Sequence, residues 1–131
     1  MDLTLSIPIS FNPNSSQLYV ERAKTKNKID EYDLGAIKDL DKAQELDPLN
    51  PYIYMLRGQI GSLILENGYD GWKQVIDDFD KAVEINPEYF DAYYEKAYFI
   101  HFGYDTLGSE LFDEGSVLET FNSDELNYFN I

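Results

Sequence analysis

The segments "DLDKAQELDP" (39–48) and "DFDKAVEINP" (78–87) agree at six of ten positions, namely Asp39/Asp78, Asp41/Asp80, Lys42/Lys81, Ala43/Ala82, Glu45/Glu84 and Pro48/Pro87. Six residues after each proline stands a tyrosine, Tyr54 or Tyr93, followed by a basic and then a small residue: Arg57 with Gly58, and Lys96 with Ala97. Upstream, Pro13, Tyr19, Arg22 and Ala23 keep the same offsets, so the prolines are spaced by 35 and then 39 residues. A period of this length constrains the fold strongly. One such unit cannot bury its own apolar face, so successive units must stack.

Inside the period the patterning is helical. Ile37, Leu40, Ala43 and Leu46 step by three along one stripe, and Trp72, Val75, Ile76, Phe79, Ala82 and Val83 form a second. Ser15 or Ser16 is placed to cap a first helix, and Asn50 before Pro51 gives a cap followed by proline at the first helical position. Ala23, Gly58, Ala97, Ala43 and Ala82 leave room for close helix approach, and the prolines end each second helix. The expected fold is all-α, built from stacked antiparallel helix pairs.

These residues resemble the tetratricopeptide repeat family: Tyr19, Ala23, Ala36, Leu40, Ala43 and Pro48 in one unit, Tyr54, Gly58, Phe79, Ala82 and Pro87 in the next, Tyr93 and Ala97 in a third. The resemblance covers about 13–120 and implies an α-solenoid of about three repeats. The expected organisation is a single domain, 1–131, with units at about 14–48, 49–87 and 88–122. Residues 1–13 form an N-terminal extension, and 123–131 a terminal capping helix or tail that begins at Ser123. The longer second unit predicts a lengthened first helix, with Asn67, Gly68, Asp70 and Gly71 as turn material. In the third unit the second helix is expected over 106–120, weakened by Gly108 and Gly115.

Composition narrows the function. With 25 acidic and 10 basic residues the net charge is −15, which argues against phosphate neutralisation and hence against nucleic acid. Six of the basic residues lie between Arg22 and Lys42, and none follows Lys96. There is no cysteine, which excludes thiolate chemistry and suits a reducing, cytoplasmic setting. The first residues lack the basic and long apolar parts of an export signal, and no segment reads as a membrane span. His101 is the single histidine, and the acidic runs "IDDFD" and "FDE" lack calcium-loop spacing, reading instead as solvated helix faces. No phosphate-cradling glycine motif is present. The expectation is a protein with no cofactor, no metal and no enzymatic activity.

The resemblance also implies where a partner would bind, since the family's concave groove is lined by its first helices. Transferred to this chain, those positions are Gln17, Val20, Lys24, Asn27 and Lys28, then Tyr52, Met55, Gln59, Ser62 and Leu63. The third helix contributes Asp91, Tyr94, Tyr98, His101 and Phe102. The basic clamp with which some members hold a terminal carboxylate is absent, because its positions are Val20/Lys24, Met55/Gln59 and Tyr94/Tyr98. The expected site is a groove of Lys24, Tyr52, Met55, Gln59, Tyr94, Tyr98, His101 and Phe102 that receives a protein or peptide, as in an adaptor. The stripe of Tyr94, Tyr98 and Phe102 reads equally as core, or as a surface covered by the C-terminal segment. Two other expectations remain open: a small acidic inhibitor or immunity-type protein that neutralises a basic partner, and self-association through the ends of the stack.

Overall fold

The computed structural model describes residues 14–66 and 71–107, and side chains through Ile64 and from Gly71 to His101. These residues form five helices and no strand: α1 (Ser16–Ile29), α2 (Leu34–Leu46), α3 (Pro51–Glu66), α4 (Trp72–Ile85) and α5 (Phe90–Leu107). The helix starts follow from short polar side chains that satisfy orphan amides. The Ser15 hydroxyl accepts from the Leu18 amide at 3.4 Å, and Asp33 accepts from Gly35 at 2.7 Å. Asn50 Oδ1 accepts from the Tyr52 amide at 3.1 Å, with Pro51 supplying the first helical residue, where its missing N–H costs nothing. Gly71 precedes α4 and supplies no side-chain cap.

The repeat is visible in the backbone bond by bond. Asp47 donates to Ala43, Asn50 to Asp47 and Ile53 to Asn50; Asn86 to Ala82, Tyr89 to Asn86 and Ala92 to Tyr89 repeat the set. The Tyr54 hydroxyl donates to the Pro48 carbonyl at 2.8 Å and the Tyr93 hydroxyl to the Pro87 carbonyl at 3.1 Å. The recurrent spacing of proline and tyrosine is therefore a hydrogen bond that ties each turn to the helix after it. The longer second unit gains residues in several places: α3 has 16 residues against 14 in α1, and α4 has 14 against 13 in α2.

Helices α1 and α2 run antiparallel, as do α3 and α4. A Cβ on Gly58 would meet Phe79 and one on Gly61 would meet Val75, so α4 recedes as α3 advances. Gly58 is required there, since its added Cβ would lie 2.5 Å from Phe79 Cε1. At the matching positions of the first unit, Ala23 and Leu40 share a buried cluster. The larger ring in the second unit is thus accommodated by the smaller residue opposite it. Helix α3 is shared by both sides of the molecule. It joins a cluster with α1 and α2 through Ile53, Leu56 and Ile60, and another with α4 and α5 through Tyr54 and Met55. A third cluster, Val75, Ile76 and Phe79 with Phe99 and Ile100, joins α4 to α5.

The acidic run IDDFD is not wholly solvated, contrary to the sequence expectation, because Asp78 is buried, and the run FDE lies outside the described residues. Asp39 and Asp78 are buried, and each meets the arginine that follows the register tyrosine of its unit. Arg22 Nε donates to Asp39 at 2.9 Å, and Arg57 donates to both Asp78 oxygens at 2.7 to 3.2 Å. Arg57 also reaches back to Asp41 at 2.9 Å, as Lys96 reaches Asp80 at 2.7 Å. Asp41 and Asp80 occupy one register position, and Arg57 and Lys96 another, so these pairs link successive units in the same way. Burial pushes the Asp78 carboxyl above its usual range, against the pull of Arg57 and Gln74. Burial disfavours the Arg57 charge, but the hydrogen bond and charge of Asp78 outweigh it and raise its pKa. The hydrogen bond to Asp39 does the same for Arg22. Helix α5 continues through Leu107, so Thr106 and Leu107 belong to it and not to a following helix. The remainder of that expected helix, the terminal helix at 123–131 and the extension 1–13 lie outside the described residues.

Candidate functional site

Helices α1, α3 and α5 enclose a cleft of about 320 Å³. Leu56, Ile60, Leu63 and Phe99 supply its apolar lining, while Asn27, Gln59, Ser62, Glu95 and Tyr98 supply the polar groups and the ring. Five of these, Asn27, Gln59, Ser62, Leu63 and Tyr98, are groove positions expected from the sequence, and the fold brings them to one place. Each arrives from the same side of its helix, because Gln59 and Tyr98 stand five residues after their register tyrosines, and Asn27 and Ser62 eight after theirs.

The polar groups are unequally satisfied. The Ser62 hydroxyl donates to the Gln59 carbonyl at 2.6 Å. Asn27 Oδ1 is buried without a hydrogen-bond partner, which costs about 1–3 kcal/mol for a group of this kind. Among the described lining residues Glu95 is the one that is charged, and it forms no ion pair with any described residue. On the rim the Tyr94 and Tyr98 rings stack at 6.3 Å between centroids with 21° between planes, and both are more than half exposed. Phe90, one turn earlier, continues the exposed aromatic face.

The remaining expected residues are dispersed. Lys24 is half-exposed and lies 3.7 Å from Glu21, without lining the cleft. Tyr52 is partly buried against two core clusters. Met55 is a correction: it is 6 % exposed and packs with Ala82, Val83, Ala92 and Tyr93, so its side chain belongs to the core. Val20, at the same register, is likewise buried at 2 %. The cause is the next helix of the layer, which covers that position in α1 and in α3. His101 is exposed, and the Phe102 side chain lies outside those described.

Leu56, Ile60, Glu95 and Phe99 line the cleft and were not singled out from the sequence. The apolar three lie on the flank of the groove stripe, and Glu95 reads as one acid among 25. Its only sequence signal was its place between Tyr94 and Tyr98. Among the described residues no three histidines or acids converge as a metal set, and no described helix is long and apolar enough to cross a membrane. Compared with the known protein families, with curated proteins and with solved structures, the chain matches none.

Proposed function

We propose that the chain is a tetratricopeptide-like stack of helix pairs that works as a non-catalytic interaction module, holding a peptide or partner helix across the cleft between α1, α3 and α5. The observation that carries this reading is the stacked, exposed Tyr94 and Tyr98 at the rim of a cleft lined by Leu56, Gln59, Ile60 and Glu95. Tyrosine faces provide apolar area at low entropic cost, and the amide and carboxylate groups provide direction. A reducing, cytoplasmic setting belongs to the same reading, on the absence of cysteine. The test is capture of partners by the wild-type chain and by Tyr94→Ala with Tyr98→Ala, identified by mass spectrometry. A partner lost in the double variant, with helical circular dichroism unchanged, is the expected result. Equal capture by both proteins overturns the site.

A second reading, a small acidic inhibitor of a basic protein, is favoured by the net charge of −15 and by Asp91 and Glu95, which make no ion pair among the described residues. Salt separates the two, since a diffuse charge match weakens steeply with ionic strength and tolerates the tyrosine substitutions. Self-association through the stack ends is checked by sedimentation at several concentrations, where a single monomeric species removes it.

A further inference from the structure

The two buried carboxylates of the repeat are held differently. In the first unit Asp39 Oδ2 accepts from Arg22 Nε at 2.9 Å and also meets Lys26 Nζ at 3.0 Å, so one oxygen serves a guanidinium and an ammonium together. In the second unit Asp78 Oδ2 accepts from Arg57 Nε at 3.0 Å, and Arg57 is the one described cation bonded to this carboxylate. The register explains the difference. Lys26 stands seven residues after Tyr19, whereas the residue seven after Tyr54 is Gly61, which brings no side chain. Four residues before the aspartate the exchange is reversed, with Gly35 in the first unit and Gln74 in the second. A Cβ on Gly35 would lie 3.3 Å from Lys26 Nζ, so the lysine uses the room that this glycine leaves. Gln74 donates its amide nitrogen to Asp78 Oδ1 at 3.2 Å, which replaces a hydrogen bond but not the charge.

Beside Gly61 and Asp78 lies a cavity of about 330 Å³ between α2, α3 and α4, which shares no described lining residue with the cleft. Ile37 and Val75 give it apolar wall, and Asp41, Gln74 and Asp78 give it acceptors. The side-chain nitrogens on the lining are already engaged. Arg57 Nε and Nη2 bond Asp78, its Nη1 bonds Asp41 and Gln44, and the Gln74 nitrogen bonds Asp78. The described lining therefore sets two carboxylates against one guanidinium. An ammonium brings three N–H donors and no acceptor, and a methylene stem behind it packs on apolar wall. Burial pushes the Asp78 carboxyl up, and a second cation beside it offsets part of the cost of burying the anion.

We propose that this cavity binds a primary alkylammonium group, seated on Asp78 as Lys26 is on Asp39, with its stem along Ile37 and Val75. The site stands apart from the interaction reading above. A free polyamine and a lysine side chain of a protein both carry this group. The first experiment titrates the full chain, followed by amide nitrogen–proton spectra, with n-butylamine, spermidine and a lysine peptide of the same charge as spermidine. Controls at equal pH and ionic strength are n-butanol, tetramethylammonium and sodium chloride. Saturable shifts at Gly61, Gly71 and the Gln74 carboxamide with the primary amines alone are the expected result. Their absence, or equal shifts with tetramethylammonium or sodium, overturns the site. Tighter binding of spermidine than of the peptide supports a free polyamine, and the reverse order supports a protein lysine. The second experiment places the ammonium in the chain itself. Gly61→Lys with Gln74→Gly reproduces the Lys26 and Gly35 of the first unit and should abolish amine binding. Undiminished binding by that variant overturns the assignment. Circular dichroism shows whether it is folded, and Asp41→Asn serves if it is not. Removal of that exposed carboxylate should weaken n-butylamine about two- to fivefold, and an unchanged affinity overturns the assignment.

Discussion

Val20, Met55 and Tyr94 each follow the register tyrosine of their helix, yet the first two are 2 % and 6 % exposed and the third is 60 % exposed. Val20 shares a cluster with Ile53, Leu56 and Ile60 of α3, and Met55 one with Ala92 and Tyr93 of α5. Helix α5 is the last one described, and no described helix covers its corresponding face. One register position is thus core in two helices and surface in the third. The difference teaches that a residue's role follows from the helix packed against it as much as from its place in its own helix. The residue types agree with the outcome: valine and methionine fill the covered places, and tyrosine, with a polar tip, stands at the open one.

The covered half should be the more sensitive, and most of all where it is held by charge. Asp78→Ala leaves Arg57 short of its principal buried partner, and a loss of about 3–5 kcal/mol is expected for such a rupture. Urea unfolding followed by circular dichroism measures it, and a loss below that of an exposed pair such as Lys81 with Glu84 would show the network to be solvated. Next comes the register comparison itself. Met55→Ala should cost about 2–5 kcal/mol of stability, whereas Tyr94→Ala should stay within about 0.5 kcal/mol. Similar values for the two would mean that Tyr94 is as covered as Met55.

A smaller effect tests the packing of α3 on α4. Gly58→Ala should destabilise by about 1–3 kcal/mol through the contact with Phe79, despite the better helix propensity of alanine. Adding Phe79→Leu recreates the alanine and leucine of the first unit, so part of that loss should be recovered in a double-mutant cycle. Additive costs would show that the two sites do not compete for space. The smallest expected effect is on pH. The Asp78 carboxyl is raised above 3.8, so folding takes up a proton in the interval between the unfolded and folded values. Its contribution to stability is present below that interval and is lost as pH rises through it. Urea midpoints measured across that interval should include this fall in wild type and lack that component in Asp78→Asn.

Much of the architecture was legible in the sequence because its signals are local. Asn50 before Pro51, the three-and-four stepping of Val75, Ile76, Phe79 and Ala82, and the offset from Pro48 to Tyr54 all act within a helix turn or two. Even so, the tyrosine offset looked like packing, and its hydroxyl bond to the proline carbonyl became apparent only with coordinates. Of the candidate site, Gln59, Tyr98 and the groove positions Asn27 and Ser62 were legible through the resemblance, whereas Glu95 was not. A carboxylate among 25 acids acquires meaning only from what stands opposite it.

By itself the sequence determined the all-helical character of the described chain, its unit length, the caps at Ser15 and Asn50 and the apolar sides of α2 and α4, since periodicity and short-range sterics act along the chain. Tertiary structure alone decided that Asp39 and Asp78 are buried, that Met55 is core while Tyr94 is open, and that Asn27 and Glu95 line one cleft. The physical reason is that periodicity reports which face of a helix is apolar, whereas burial and unsatisfied polarity depend on which other helix lies against that face.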